Sequence, residues 1–294
     1  MTTNTAHGAY RRRFLFDTLP ARGIHVRLQD VWRHIVGQKD YPPAIARALG
    51  ELSAAAALLS ENLKSEGTLI VQIQGTGCLK MLVAEAASGQ TVRATARWDE
   101  QADIAEHAGL NDMLGAGGIF AITFQPPHGE PRQGIVPLEG GSIAEMLTAY
   151  MARSEQIETV IFLTADNRQA SGLLLQRLPE NQPDNESWLQ AAAPAQTLTA
   201  KELSELDTEP LLYRLFHENP PRVFPAEVLE FACTCSRGKV ADMLLLLGAE
   251  EVRQTLAQEG SVSAACDFCH TRYTFDETDI DALFAGSMPP PSLH

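Results

Sequence analysis

The chain has 294 residues, 45% of them hydrophobic, and carries 37 acidic against 23 basic side chains for a net charge of −14. That length accommodates one large domain and a smaller one. So acidic a chain repels phosphate backbones, which argues against nucleic-acid binding, and no run approaches the ~18 uninterrupted apolar residues of a membrane span. The first twenty residues are basic in places but lack the apolar stretch of a signal peptide, so a cytoplasmic, reducing location is expected, with no membrane partner.

In chain order, Tyr41-Pro-Pro opens a helical stretch rich in Ala and Leu, Ala44 to Lys64. Proline fits a first helical turn because it has no N–H to lose there, and Gly67 is the stop. Strand-like runs follow at Thr68–Ile73, Leu79–Glu85 and Thr91–Trp98, separated by the turns Gln74-Gly-Thr-Gly77 and Ser88-Gly-Gln90. A second set reads as strands Gly118–Gln125 and Gly134–Leu138, a helix Ser142–Arg153, and strands Thr159–Ala165 and Gly172–Leu178. Ser142-Ile-Ala-Glu145 is a capping box that fixes the helix start. Short turns between strands predict a largely antiparallel sheet packed with helices, an α+β domain over residues 1–178. The two β-then-helix groups hint at an internal duplication.

The composition changes at Pro179. Residues 179–231 hold seven prolines and ten acidic residues against Lys201, Arg214 and Arg222, a net −7 and half the charge of the chain. Apolar clusters recur all the same, as at Trp188-Leu189 and Leu211-Leu-Tyr-Arg-Leu-Phe216. Charge and proline weaken such a segment, while helical apolar spacing lets it dock on a neighbour; a metastable acidic helical linker is expected, with an ordinary acidic helical hairpin as the competing reading.

Residues 232–294 form the last unit with a short tail. Two short helices (Lys239–Leu247 and Glu250–Gln258), a hairpin around Asp267–His270 and a final helix from Asp276 leave it too small for a comfortable core without a staple. Four of the five cysteines supply one: Cys233-Thr-Cys235 and, thirty residues on, Cys266-Asp-Phe-Cys269. In a reducing compartment two close pairs point to a metal rather than a disulfide framework. Four thiolates suit one tetrahedral zinc ion, with iron–sulfur as the main competitor. His270 is expected to be a solvated surface residue beside a shell already complete. A purely structural zinc is one fate of such a site. The spacing also permits a sharper one, because residues two or three apart can meet the Cα separation of a disulfide without moving the rest of the chain. Oxidation would then remove all four ligands, and a structural zinc carries an apparent ~10–16 kcal/mol against the ~5–15 kcal/mol stability of a whole domain.

With the cysteines in place, the chain resembles the thirty-three-kilodalton chaperonin family, the redox-regulated heat-shock holdases. Beyond the cysteines, the resemblance rests on Leu49-Gly-Glu51 near Tyr41-Pro, Gln72-Ile-Gln-Gly-Thr-Gly77, Arg93-Ala-Thr-Ala-Arg97, Gln133-Gly-Ile-Val136 and Tyr150-Met-Ala-Arg-Ser-Glu-Gln156. Toward the C-terminus it rests on Phe231-Ala-Cys-Thr-Cys-Ser236, Leu247-Gly-Ala-Glu-Glu251 and Tyr273-Thr-Phe-Asp276. The resemblance implies a reduced, zinc-bound and inactive form. It implies that oxidants pair Cys233 with Cys235 and Cys266 with Cys269, that zinc leaves and the linker unfolds, and that a homodimer then binds unfolding client proteins without ATP. One departure is visible: Gly238 stands where the family pattern carries an acidic residue, which bears on the stability of the switch. Cys78 matches no switch position and reads as a small buried residue at a strand end.

Two other classes are weighed. For an enzyme, Gly75-Thr-Gly77 and Gly115-Ala-Gly-Gly118 lack the Lys-Ser/Thr and helix start of a phosphate loop, and there is no Gly-x-Ser-x-Gly elbow or His-x-x-x-His pair. A zinc-ribbon protein with purely structural zinc, serving as a nucleic-acid or protein interaction module, would need a basic patch to bind nucleic acid, and the acid-rich segment 179–231 opposes one.

Overall fold

The structure is a computed structural model that describes residues 8–62, 66–88, 90–179 and 185–285. The last expected residues of the helix at 44–64, the first few of the acidic segment and the C-terminal tail lie outside these. The chain divides into two compact units, residues 1–232 and 233–294.

The first unit opens with strands β1 (Tyr10–Leu15) and β2 (Ala21–Arg27) and helices α1 (Gln29–Val36) and α2 (Pro43–Leu59). Next come β3 (Thr68–Gly75), β4 (Leu79–Ala87), β5 (Thr91–Trp98), α3 (Leu110–Leu114), β6 (Gly118–Gln125) and β7 (Arg132–Val136). Helix α4 (Ile143–Arg153) and the hairpin β8 (Thr159–Ala165) and β9 (Ala170–Arg177) complete the α+β body. Helices α5 (Asn185–Ala195), α6 (Ala200–Glu205) and α7 (Thr208–Phe216) and the two-residue strands β10 (Arg222–Val223), β11 (Glu227–Val228) and β12 (Glu230–Phe231) close the unit.

Two sheets result. One has the order β10-β1-β2-β9-β8, with β11 also on β1; the other has β12-β5-β4-β3-β6-β7. Every pairing is antiparallel except that of β12 with β5. The expected antiparallel α+β body is present, and Ser142 caps α4 by accepting from the Glu145 N–H. The hint of duplication fails. The second β-then-helix group is split between the sheets, β6 and β7 joining β3 while the β8–β9 hairpin joins β2.

Helix α2 packs on strands of both sheets, and 13 of its 17 residues are buried. Its run of alanines, Ala54 to Ala57, lets backbone come close on all sides. Gly50 marks the closest approach: a Cβ there would lie 2.4 Å from that of Ala165 on β8. The resemblance motif Leu49-Gly-Glu51 thus has a packing reason. The sequence reading named no elements before Tyr41. Strand β1 hides because arginine occupies three of its six positions, so its period-2 apolar face, Tyr10-Phe14-Phe16, is interrupted.

The acidic segment lies on the outer face of the first sheet. Trp188, Leu203, Leu211, Leu215 and Phe216 bury against Phe14, Phe16, Leu173 and Leu175. Leu189 and Tyr213 point outward, 58% and 73% exposed, so only one stripe of each apolar cluster is used. The carboxylates of the segment meet arginines of the sheet: Asp207 with Arg27 at 2.5 Å, Glu209 with Arg12, and Glu227 with Arg11 at 2.7 Å.

The second unit contains α8 (Arg237–Leu247), α9 (Ala249–Glu259), the hairpin β13 (Val262–Ala265) and β14 (Arg272–Phe275), and α10 (Glu277–Ala285). Among the described residues its core holds five buried side chains, Leu244, Val252, Val262, Phe275 and Ile280.

Candidate metal centre

The two cysteine pairs come from two different local structures. Cys233 and Cys235 lie on the extended segment between β12 and α8, and Cys266 and Cys269 occupy the turn of the β13–β14 hairpin. The turn is closed by the His270 N–H donating to the Cys266 carbonyl and the Cys266 N–H donating to the Thr271 carbonyl. His270 takes φ +53°, a left-handed conformation, and its ring is exposed and outside the cluster. On the other side, Ser236 caps α8 by accepting from the Lys239 N–H, and the Lys239 ammonium donates to the Thr234 carbonyl. Arg237 donates to the Thr274 carbonyl and to Asp279, and lies 4.2 Å over the Phe275 ring. The start of α8 is thereby tied to β14 and α10.

The four Sγ atoms all lie within 4.8 Å of one another. Across the pairs, Cys235 and Cys269 stand 3.4 Å apart and Cys233 and Cys266 3.6 Å. Tetrahedral thiolates at ~2.3 Å from a zinc ion stand ~3.8 Å apart, so the cluster has the size and donor set of such a site. All five cysteines of the chain are free of disulfides.

The electrostatics give the same fit. Burial pushes the Cys266 thiol up to about 12. Burial also opposes ionisation of Cys269, yet the hydrogen bonds of the Thr271 hydroxyl and N–H, with those of Cys235 and Cys233, outweigh it and bring that thiol down to about 6. Cys235 is raised, because burial and the neighbouring thiols outweigh the hydrogen bond of the Tyr273 hydroxyl 3.1 Å away. Tyr273 itself is pushed up to about 12 by that bond. Four thiols this close cannot all ionise alone, since each new thiolate repels the last. A divalent cation is what lets all four be thiolates together.

All four cysteines named from the sequence come together. Cys78 does not join them: it sits half-buried in the first unit just before β4, its Sγ 3.6 Å from the Met113 carbonyl. The sequence reading missed Tyr273 and Thr271 as groups that orient the thiolates. The only available signal was the pattern Tyr273-Thr-Phe-Asp276 directly after the second pair.

A two-sheet α+β unit followed by a small module built round four clustered cysteines defines the class: an α+β protein with a C-terminal four-cysteine module of the size and donor set that suit a metal ion. The family model described as Hsp33 protein matches residues 10–276. The 33 kDa chaperonin of Neisseria meningitidis serogroup B is 64% identical over 274 residues, covering 93% of this chain and 91% of that one. The 33 kDa chaperonin of Chromobacterium violaceum is 45% identical over 283 residues, with 96% and 95% covered. The crystal structure of the 33 kDa chaperonin of Thermotoga maritima superposes with a TM-score of 0.80 at 24% identity, covering 95% of this chain and 98% of that one, which is a likeness of fold. The chain belongs to the Hsp33 family of chaperones.

Proposed function

We propose that this protein is an ATP-independent holdase switched by oxidation. Its parts are an N-terminal chaperone domain over 1–178, a metastable acidic linker over 179–231 and a zinc-binding redox switch over 232–294. Cys233, Cys235, Cys266 and Cys269 hold one zinc ion in the reduced, inactive form; bound there, the ion supplies the charge that keeps four thiolates in one place and cross-links two ends of a small unit. The carrying observation is the cluster itself: four Sγ atoms within 4.8 Å of one another, drawn from two sequence-local pairs, in a unit with five buried side chains among the described residues.

Oxidation joins neighbours. In each pair two thiols give two electrons to a peroxide, forming one S–S bond and two waters. We assign Cys233 to Cys235 and Cys266 to Cys269. All four Sγ atoms lie within 4.8 Å of one another, but neighbours alone stay adjacent once the unit loosens, so their ring closure costs least entropy. Disulfide sulfurs no longer hold the metal, and the second unit loses its staple. Cys233 follows Phe231 by two residues; Phe231 pairs through β12 with β5 and stacks on His34 at 4.0 Å. Unfolding that starts at Cys233 therefore pulls on the last anchor of the acidic segment.

Release of that segment uncovers apolar surface on the first sheet and on the linker, to which unfolding clients bind by burial at ~25 cal/mol per Å². The active form is a homodimer in the cytoplasm, with no nucleic-acid or membrane partner. The test is zinc content and suppression of client aggregation before and after peroxide. One zinc per chain, lost as activity rises, is expected. A reduced protein that purifies anaerobically without zinc, or activation with zinc retained, overturns the switch.

A further inference from the structure

Register and burial define the sheet face beneath the acidic segment. Tyr10, Arg12 and Phe14 of β1 lie beside Arg27, His25 and Gly23 of β2, which in turn lie beside Ser171, Leu173 and Leu175 of β9. Val160 and Phe162 of β8 continue this face. Its centre is apolar and its margins are cationic, at Arg12, Arg27 and Arg177, and none of these strand positions is Asp or Glu. In a chain of net charge −14 that is a local inversion of sign.

The segment covering it is its complement. Asp207 and Glu209 sit at the start of α7 and take Arg27 and Arg12, and Asp207 also accepts from the Tyr10 hydroxyl at 3.3 Å. Leu211, Leu212, Leu215 and Phe216 follow on the buried stripe. The two arginine side chains are 18% and 12% exposed, but their partners Glu209 and Asp207 are 61% and 57% exposed, so water and salt reach these ion pairs.

We infer that this face is a selective client site, and that the clients it prefers are short amphipathic segments with carboxylates in the first turn and an apolar stripe after them. The inference rests on the reading that the acidic segment leaves the sheet on activation. The segment 185–231 is then a tethered occupant at effectively millimolar concentration, which external segments displace only once it has lost its fold. When it leaves, Arg12 and Arg27 give up the carboxylates they hold in the docked form, and an acidic client end restores them.

The experiment uses the full chain activated by peroxide and two labelled twelve-residue peptides. One copies residues 206–217; the other carries the D207N and E209Q changes. The acidic peptide should bind up to about tenfold more tightly, as two charge-assisted pairs to arginine allow. Raising salt from 50 to 500 mM should erase most of that ratio without weakening the neutral peptide, a measurement that needs no variant. In the Arg12→Gln, Arg27→Gln protein the ratio should fall toward one. Equal binding of the two peptides at low salt, with client aggregation still suppressed, overturns the selectivity and leaves the holdase reading intact. Failure to suppress aggregation at all overturns the holdase reading first.

Discussion

Helices α2 and α8 hold their places by different physics. Helix α2 buries 13 of 17 residues between two sheets, and its interior is alanine and leucine. Helix α8 buries one of eleven, Leu244, and leaves Met243, Leu246 and Leu247 at 44%, 89% and 50% exposed. The first unit is held by burial, a term that peroxide does not alter. The second has a minimal core beside four thiols that fit one cation, so on the proposed reading its stability depends on a ligand and on the oxidation state of sulfur. A chain that joins two such units has one part that can be removed chemically while the other persists.

The largest effect that would break this contrast is loss of one thiolate. Cys269→Ser should leave the second unit unfolded even when reduced, because about 10 kcal/mol or more of metal binding exceeds what five buried side chains leave in hand. Hydrogen exchange at Leu244, Val252, Val262 and Phe275 should lose protection, with β3 to β5 unchanged. Retained protection at those four amides would mean that the core suffices without metal.

A second test asks whether the acidic segment belongs energetically with the first unit. Leu211 is fully buried under the sheet face, and Leu211→Ala should cost about 2–5 kcal/mol. The reduced variant should show faster exchange over 185–216 and measurable holdase activity with zinc still bound. If exchange accelerates and the reduced protein stays inactive, release of this segment is not the activating step.

Acid probes the same contact more gently. His25 is wholly buried, its Nδ1 2.8 Å from the Thr208 hydroxyl and its Nε2 without a polar partner among the described residues. Burial first, then Arg27 and Arg12, hold it down to about 3; Tyr10 and Asp207 complete its polar surroundings. A folded-state value below the free value of ~6.5 means that docking is favoured above pH 6.5 and weakens as pH falls through that value toward 3. Arg12 and Arg27 stay on the sheet beside His25, so between pH 7.5 and 5.5 the released state should gain at most about 1.4 kcal/mol. Cleavage within 185–231 by a protease active at both pH values should rise at pH 5.5, by no more than about tenfold, and His25→Gln should flatten the profile. A flat profile in the unmodified protein would place His25 outside the release step.

What the sequence showed depended on how local the information was. The four-cysteine cluster is two pairs, each a few residues apart, one on an extended segment and one in a hairpin turn, so spacing alone pointed to it. The Ser142 cap and the turn at Gln74–Gly77 were legible for the same reason, although the Glu145 carboxylate accepts from the Gly141 N–H and so closes only half of the expected capping box. The partition into two sheets was not, because β2 pairs with β9 about 150 residues away and no local pattern specifies that choice. From the sequence, the three consecutive arginines Arg11 to Arg13 register only as basic residues near the N-terminus. Their meaning comes from β-alternation, which sends Arg12 toward Glu209 and its neighbours Arg11 and Arg13 to the other face, where both pair with Glu61.

The smallest predicted effect lies at Gly238, where the acidic residue of the family pattern is absent. Ser236 is the N-cap of α8, so Gly238 is its second helical residue, and the first turn carries no acid. Its φ is not in the left-handed region, and a Cβ would meet nothing closer than the Ser236 Oγ at 3.8 Å. Nothing steric therefore requires glycine. Gly238→Glu should gain about 0.5–1 kcal/mol from backbone entropy and helix propensity, and a further ~0.3–1 kcal/mol from a carboxylate at the positive end of the helix. Opposing this, a new negative charge near four thiolates is repelled, but Arg237 and Lys239 flank the position and offset it. The net gain of about 1 kcal/mol should stabilise the end of the unit that carries Cys233 and Cys235. The peroxide concentration for half-maximal zinc release should rise roughly fivefold, with zinc stoichiometry unchanged. Gly238→Ala separates the two contributions, since it keeps the propensity gain without the charge. If Ala and Glu raise the midpoint equally, the helix end alone sets the threshold. If neither moves it, the cap of α8 does not limit metal release, and the hairpin turn that carries Cys266 and Cys269 is the part that opens first.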